Sequence, residues 1–167
     1  MSYVISTPEI GFQPIGVTDT TQNHPLGTVV TAKDPTYGEG EFIYLEGVAS
    51  TAVGDAVTYD AAFQTARAAA GTNLPRAVAF AMSANVASQY GWYQIGGLAV
   101  ANKTKTVSMA AGIAVGISTT ALISVSSSGK ELQGALVAVV ASATTTTNNG
   151  NKVQLMIDRP HMQGRIS

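Results

Sequence analysis

From Pro75 to Ala84 the chain reads PRAVAFAMSA, and its alternation is strict: Val78, Phe80 and Met82 on one side, Ala77, Ala79 and Ala81 on the other. A period of two is the repeat of an extended strand, whose successive side chains point to opposite faces. The large face needs a core to enter. The all-alanine face implies close approach by another layer, since methyl groups leave space only a neighbour can fill. This one segment asks for a sheet covered on both sides.

The same grammar runs through most of the chain. TVVTA (28–32) is rich in β-branched residues, and EFIYLEGVA (41–49) is a strand-length aromatic and aliphatic run after a flexible YGEGE turn. In STAVGDAVTYD, Gly54 and Asp55 supply turn chemistry before another such run. AAFQTARAAAG has real helical propensity but is short, so it predicts a hairpin return or a single helical turn. GWYQIGGLAVA and KTVSMAAGIAVGIS continue the strand pattern with glycine interruptions of the kind that mark bulges. Near the end, GALVAVVASATTTT and KVQLMIDRP flank Asn149-Gly150, a strong hairpin turn signal. In the last run Val153, Leu155 and Ile157 are predicted to face inward, with Lys152, Gln154 and Asp158 outward. Many short strands with no alternating long helices predict an all-β fold: a single small β-barrel, jelly-roll-like or sandwich domain. The domain is expected over residues 28–160, with 161–167 as a C-terminal tail.

Residues 1–27 read as an extended N-terminal arm. Pro8, Pro14 and Pro25 forbid a long helix and hold the preceding residues extended. Ile5, Ile10, Phe12 and Ile15 are apolar anchors that a solvated tail would not need. Such a segment lies along a partner's surface or along its own domain.

Charge narrows the function. Only 11% of residues are charged, against about 25% in ordinary domains. Either much of the surface is covered by partners, or Ser, Thr, Asn and Gln wet it without charge. A net charge of −1 with no Lys/Arg cluster gives no footprint for nucleic acid and no polybasic membrane patch. The uncharged stretches Ala77–Asn102 and Val107–Gly129 are broken by Ser, Asn, Gln and Thr, so neither is expected to span a membrane as a helix. Without cysteine there are no disulfides and no thiolate metal sites, as suits a reducing cytoplasm, and the N-terminus lacks the pattern of a signal peptide.

Catalytic chemistry is hard to find. His24 and His161 each adjoin a proline, with no second ligand at metal-binding spacing, and exposed loop histidines are expected. No G-x-S-x-G elbow singles out a serine. Glu39 and Glu41 share a strand face beside Gly38 and Gly40 and read as a solvated turn rather than an acid–base pair. Asn102-Lys103-Thr104 matches a glycosylation sequon, which means little without a secretory signal. No metal and no cofactor is expected. Tyr90 and Trp92 fall on one strand face and Tyr93 on the other, yet no cations accompany them as base-stacking surfaces require. Core packing or a protein–protein interface is the expectation for these aromatics.

GEFIYLEGVASTAVGDAVTYD, then VAFAMSANVASQYGWYQIGGLAVA and the closing VQLMIDRP resemble the head decoration (cement) proteins of tailed bacteriophages. The resemblance runs from Gly40 to Ala101 plus the final strand, and rests on glycine and strand patterns rather than a catalytic motif. It implies a β-barrel-like or jelly-roll module that assembles as a homotrimer on the outside of an icosahedral head. Made in the host cytoplasm, it would bind the major capsid protein and stabilise the shell without catalysing a reaction. Ile5, Ile10, Phe12, Ile15, Tyr90, Trp92 and Tyr93 then become candidates for contact with the capsid or a neighbouring subunit. Two other readings stay open: a β-rich module of a tail, head fibre or minor head protein, and a glycan hydrolase with a carboxylate-lined groove.

Overall fold

A computed structural model describes residues 4–5, 11–69, 75–118, 121–142 and 151–163. It is all-β, with no helix among the described residues. The strands are β1 (Val4–Ile5), β2 (Val29–Asp34), β3 (Gly38–Glu46), β4 (Ala56–Tyr59), β5 (Thr65–Arg67) and β6 (Ala77–Ala81). They continue with β7 (Tyr90–Asn102), β8 (Ala114–Ile117), β9 (Ile123–Val125), β10 (Glu131–Val137) and β11 (Lys152–Met162). Antiparallel ladders join them in the order β1-β2-β3-β7-β6-β11-β10-β8-β9, with the β4–β5 hairpin attached to β6. The path is open at β1 and β9 rather than closed into a continuous barrel. An isolated parallel bridge, Lys103–Ile123, ties β9 back to the chain just after β7.

The long β7 organises the sheet. One edge pairs with β3, and the other is shared by β6 near Tyr93–Gln94 and by β11 over Gly96–Asn102. Its register against β3 shifts at Glu41/Phe42, and β10 shifts against β11 between Gln133 and Ala135. Gly97 has φ +90°, and a Cβ there would lie 2.4 Å from the Glu39 carbonyl oxygen. Only glycine permits that approach. Bulges of this kind bend a sheet and let its parts enclose separate cores.

Among the described residues three apolar clusters result. The largest gathers Val78, Phe80, Ala99, Val115, Leu132 and Leu155 with others. A second holds Ile15, Phe42, Tyr44 and Trp92, and the third Ile43, Leu45, Ala79, Ala81 and Tyr93. Thus β3 and β7 bury both faces, which explains their near-continuous apolar sequences.

The alternation in β6 is realised: Val78 and Phe80 enter the main core, while Ala79 and Ala81, fully buried, let the third cluster approach. Met82 lies past the end of β6 and packs instead in the second cluster. The segment with helical propensity is a hairpin return, since Thr65–Arg67 pairs with β4. The turn expected over YGEGE sits earlier, at 35–37, where Asp34 Oδ1 accepts the amides of Thr36 (2.7 Å) and Tyr37 (3.0 Å). Gly38–Glu41 belong to β3. Asn149-Gly150 falls outside the described residues, but the strands beside it pair as an antiparallel hairpin would, Ala135 with Ile157 and Val137 with Leu155. Val153, Leu155 and Ile157 face inward as expected. The boundary drawn at 160 falls inside β11, because His161 and Met162 still pair with Gln133 and Leu132.

Candidate binding surface

Residues 11–27 fold back onto the chain's own second core. Gln13, buried, is the clamp: its Oε1 accepts the Tyr44 hydroxyl at 2.9 Å, and its Nε2 donates to the Val17 and Tyr90 carbonyls at 2.6 and 3.2 Å. The Gln13 carbonyl accepts Trp92 Nε1 at 2.8 Å. Ile15, Trp92 and Tyr93 are 2%, 0% and 0% exposed, so their contacts lie within the chain. Of the two expectations for these residues, packing within the chain's own domain is the one realised, and the interface alternative falls away because each side chain is buried inside the chain. Phe12 and Tyr90 are half-buried at the edge of the same cluster. Ile5 is described as backbone paired with Ala32, and Ile10 lies outside the described residues.

His24 is also corrected. Rather than standing free in a loop, its ring stacks on Phe12 at 4.9 Å and meets Tyr44 edge-on at 5.1 Å. Its Nε2 accepts the Gln13 main-chain N–H at 3.1 Å, and burial lowers its pKa. No local pattern announces this, because the ring's neighbours are distant in sequence.

The open surface lies on the other face of β7, β11, β10 and β8. Leu98, Met156, Leu136 and Ala114 are cross-strand partners in one row. Their side chains point opposite to Ala99, Leu155 and Val137, which enter the main core. Met156 is 62% and Leu136 47% exposed, and Val139 and Val140 beyond β10 are exposed too. Leu132, Leu136, Met156 and Asp158 line part of a hollow of ≈ 350 Å³ there. It shares Ile157 and Asp158 with a second of ≈ 310 Å³ that reaches Glu41, Gly97 and Arg159. Glu39 pairs with Lys33 at 3.4 Å and Glu41 with Arg159 at 3.3 Å, so each carboxylate faces its own cation at the rim. An aliphatic centre bordered by charge is the composition of a contact surface. The signal for it in the sequence was weak: Leu136 and Met156 are exposed members of strands whose other face fixes the pattern.

A polar cluster lies at the far end of the β7–β11 ladder. Asp55 accepts Arg67 Nη2 at 3.1 Å and Asn102 Nδ2 at 2.7 Å, and Lys152 Nζ donates to Asn102 Oδ1. The sequon asparagine thus has its amide engaged inside the fold. Next to it, buried Lys103 donates to the Val107 carbonyl at 2.9 Å and the Thr104 carbonyl at 3.3 Å, and burial lowers its pKa. Among the described residues no group of three or more His, Asp or Glu side chains is placed to hold a metal ion, and no helix is long and apolar enough to cross a membrane. No protein-family model matches the chain, and no curated protein sequence matches it.

Proposed function

We propose that this protein is a capsid decoration (cement) protein, which binds the outside of an icosahedral phage head as a homotrimer and stabilises the shell. The observation that carries the reading is the aliphatic row Leu98–Met156–Leu136 across three strands on the side away from the main core, in which Met156 and Leu136 are exposed and Leu98 is half-buried. Exposed apolar surface of this kind is a mark of a site for another protein. The segments that resemble decoration proteins also lie together: Gly40–Ala101 spans β3 to β7, and VQLMIDRP lies within β11, which pairs with β7. Its partners on this reading are further copies of itself and the major capsid protein, at the virion surface after synthesis in the host cytoplasm. The mechanism is one of area and multivalency, since a trimer engaging several patches gains avidity of about 10² to 10⁴ without new contacts.

Light scattering of the purified protein, followed by co-sedimentation with expanded and unexpanded heads, tests the reading. A trimer that pellets with expanded heads is the expected result. A stable monomer, or no binding to either form, counts against it. Electron microscopy of labelled particles separates it from a tail, fibre or minor head component: a lattice of copies over the head, rather than a few at one vertex.

A further inference from the structure

Asn102 and Lys152 are directly opposed at the end of the β7–β11 ladder. Lys152 Nζ donates to Asn102 Oδ1 in close contact. On its other side Asn102 Nδ2 donates to Asp55 Oδ1 at 2.7 Å and to the Val53 carbonyl at 3.0 Å. An amine therefore sits at the oxygen end of this amide and a carboxylate at its nitrogen end. Asp55 is 2% exposed and is held in turn by Arg67 at 3.1 Å and by the Ala52 amide at 3.1 Å.

The loop carrying Asp55 is built to lie over the pair. Gly54 has φ +87°, and a Cβ there would come within 2.9 Å of the Val100 carbonyl and 3.0 Å of Lys152 Nζ. The Asn102 main-chain N–H donates to the Gly54 carbonyl at 2.8 Å, and Lys152 Nζ donates to the Val53 carbonyl at 2.9 Å. Burial lowers the pKa of Lys152, with the Asp55 charge opposing in part, so the neutral amine is more populated than on an open surface.

We propose that Lys152 and Asn102 join in an intramolecular isopeptide bond, with Asp55 carrying the proton. The neutral Nζ attacks Asn102 Cγ and forms the N–C bond. Nζ sheds one proton, Nδ2 gains one, the Cγ–Nδ2 bond breaks, and ammonia leaves. Asp55 receives the first proton and returns it to Nδ2, the atom it already touches, so its own charge is unchanged at the end. No oxidant, metal or second substrate enters the balance. Holding amine, amide and carboxylate together supplies what such a reaction lacks in open solution, proximity and a positioned proton carrier. The product would link β7 to β11 around the whole 103–151 segment, doing in a chain without cysteine what a disulfide does for a long loop. This inference is independent of the decoration reading.

Intact-mass spectrometry of the full-length protein tests it. The expected mass is about 17 Da below that of the sequence, the loss of one ammonia. Tandem spectra should contain a branched peptide joining residues 102 and 152. Lys152→Arg and Asn102→Ala should return to the sequence mass while circular dichroism still reports a folded sheet, and Asp55→Asn should accumulate unlinked chain. A folded wild-type protein at its sequence mass would overturn the proposal. So would a light species that persists in Lys152→Arg, since that would be a succinimide at an asparagine instead.

Discussion

Trp92 Nε1 donates to the main-chain oxygen of Gln13, 2.8 Å away and 79 positions earlier in the chain. That bond fastens the N-terminal segment over the aromatic cluster of β3 and β7. Trp92→Phe leaves the Gln13 carbonyl without this donor and a gap beside Tyr44. The expected loss is about 1–3 kcal/mol, the cost of a buried unsatisfied group. Urea unfolding followed by circular dichroism measures it, and an unchanged midpoint would contradict the clamp.

His24 should make the same region acid-sensitive. Its Nε2 accepts the Gln13 main-chain N–H, a role only the neutral ring can fill, and burial lowers its pKa below the ordinary 6.5. Phe12, Tyr44 and Trp92 pack against the ring, and none of them carries a negative charge that would hold a second proton on it. The folded state therefore binds fewer protons than the unfolded one. Stability is fully present above pH 6.5 and is lost as pH falls from there through the folded-state value. Thermal melts across this window should decline by a few degrees, and His24→Gln should flatten the decline.

Truncation separates two parts of the N-terminal region. Removing residues 1–10 takes away only the two-residue β1 among the described elements, so the domain should stay folded. Removing 1–16 also deletes Gln13 and buried Ile15, and should cost more than about 3 kcal/mol. Comparable melting of the two truncated proteins would show that the clamp does not matter.

Gly97→Ala places a methyl group 2.4 Å from the Glu39 carbonyl oxygen at a residue with φ +90°. The β3–β7 ladder must open locally, at a cost of at least about 1–3 kcal/mol. Hydrogen exchange should report faster amides at Glu41 and Gly40 than in the parent protein. Gly38→Ala serves as the control, with φ +74° but no atom within 4 Å of the added carbon.

On the open face, Leu136→Lys and Met156→Lys should leave the melting temperature nearly unchanged, because both side chains are exposed. Together they should weaken self-association or binding to expanded heads by tenfold or more, as expected where each buried aliphatic contributes about 1.5–3 kcal/mol. Sedimentation velocity and co-sedimentation would detect it. Full binding by the folded double variant would remove this face from the proposed function.

The local repeat of the chain was enough to set the class of fold. Alternation in Ala77–Ala81 and Val153–Ile157 forces strands, because a one-residue slip would turn every large side chain to the wrong face. Side-chain size was enough to place an alanine face against a second layer. What the sequence could not settle is which strand neighbours which, since pairing depends on contacts between positions far apart. That choice put Trp92 and Tyr93 in two different cores, drew Gln13 and His24 onto the first of them, and set Lys152 opposite Asn102 under the Asp55 loop. It also left Met156 and Leu136 outward. A strand's period tells that two faces exist; only the packed sheet decides which of them water still touches.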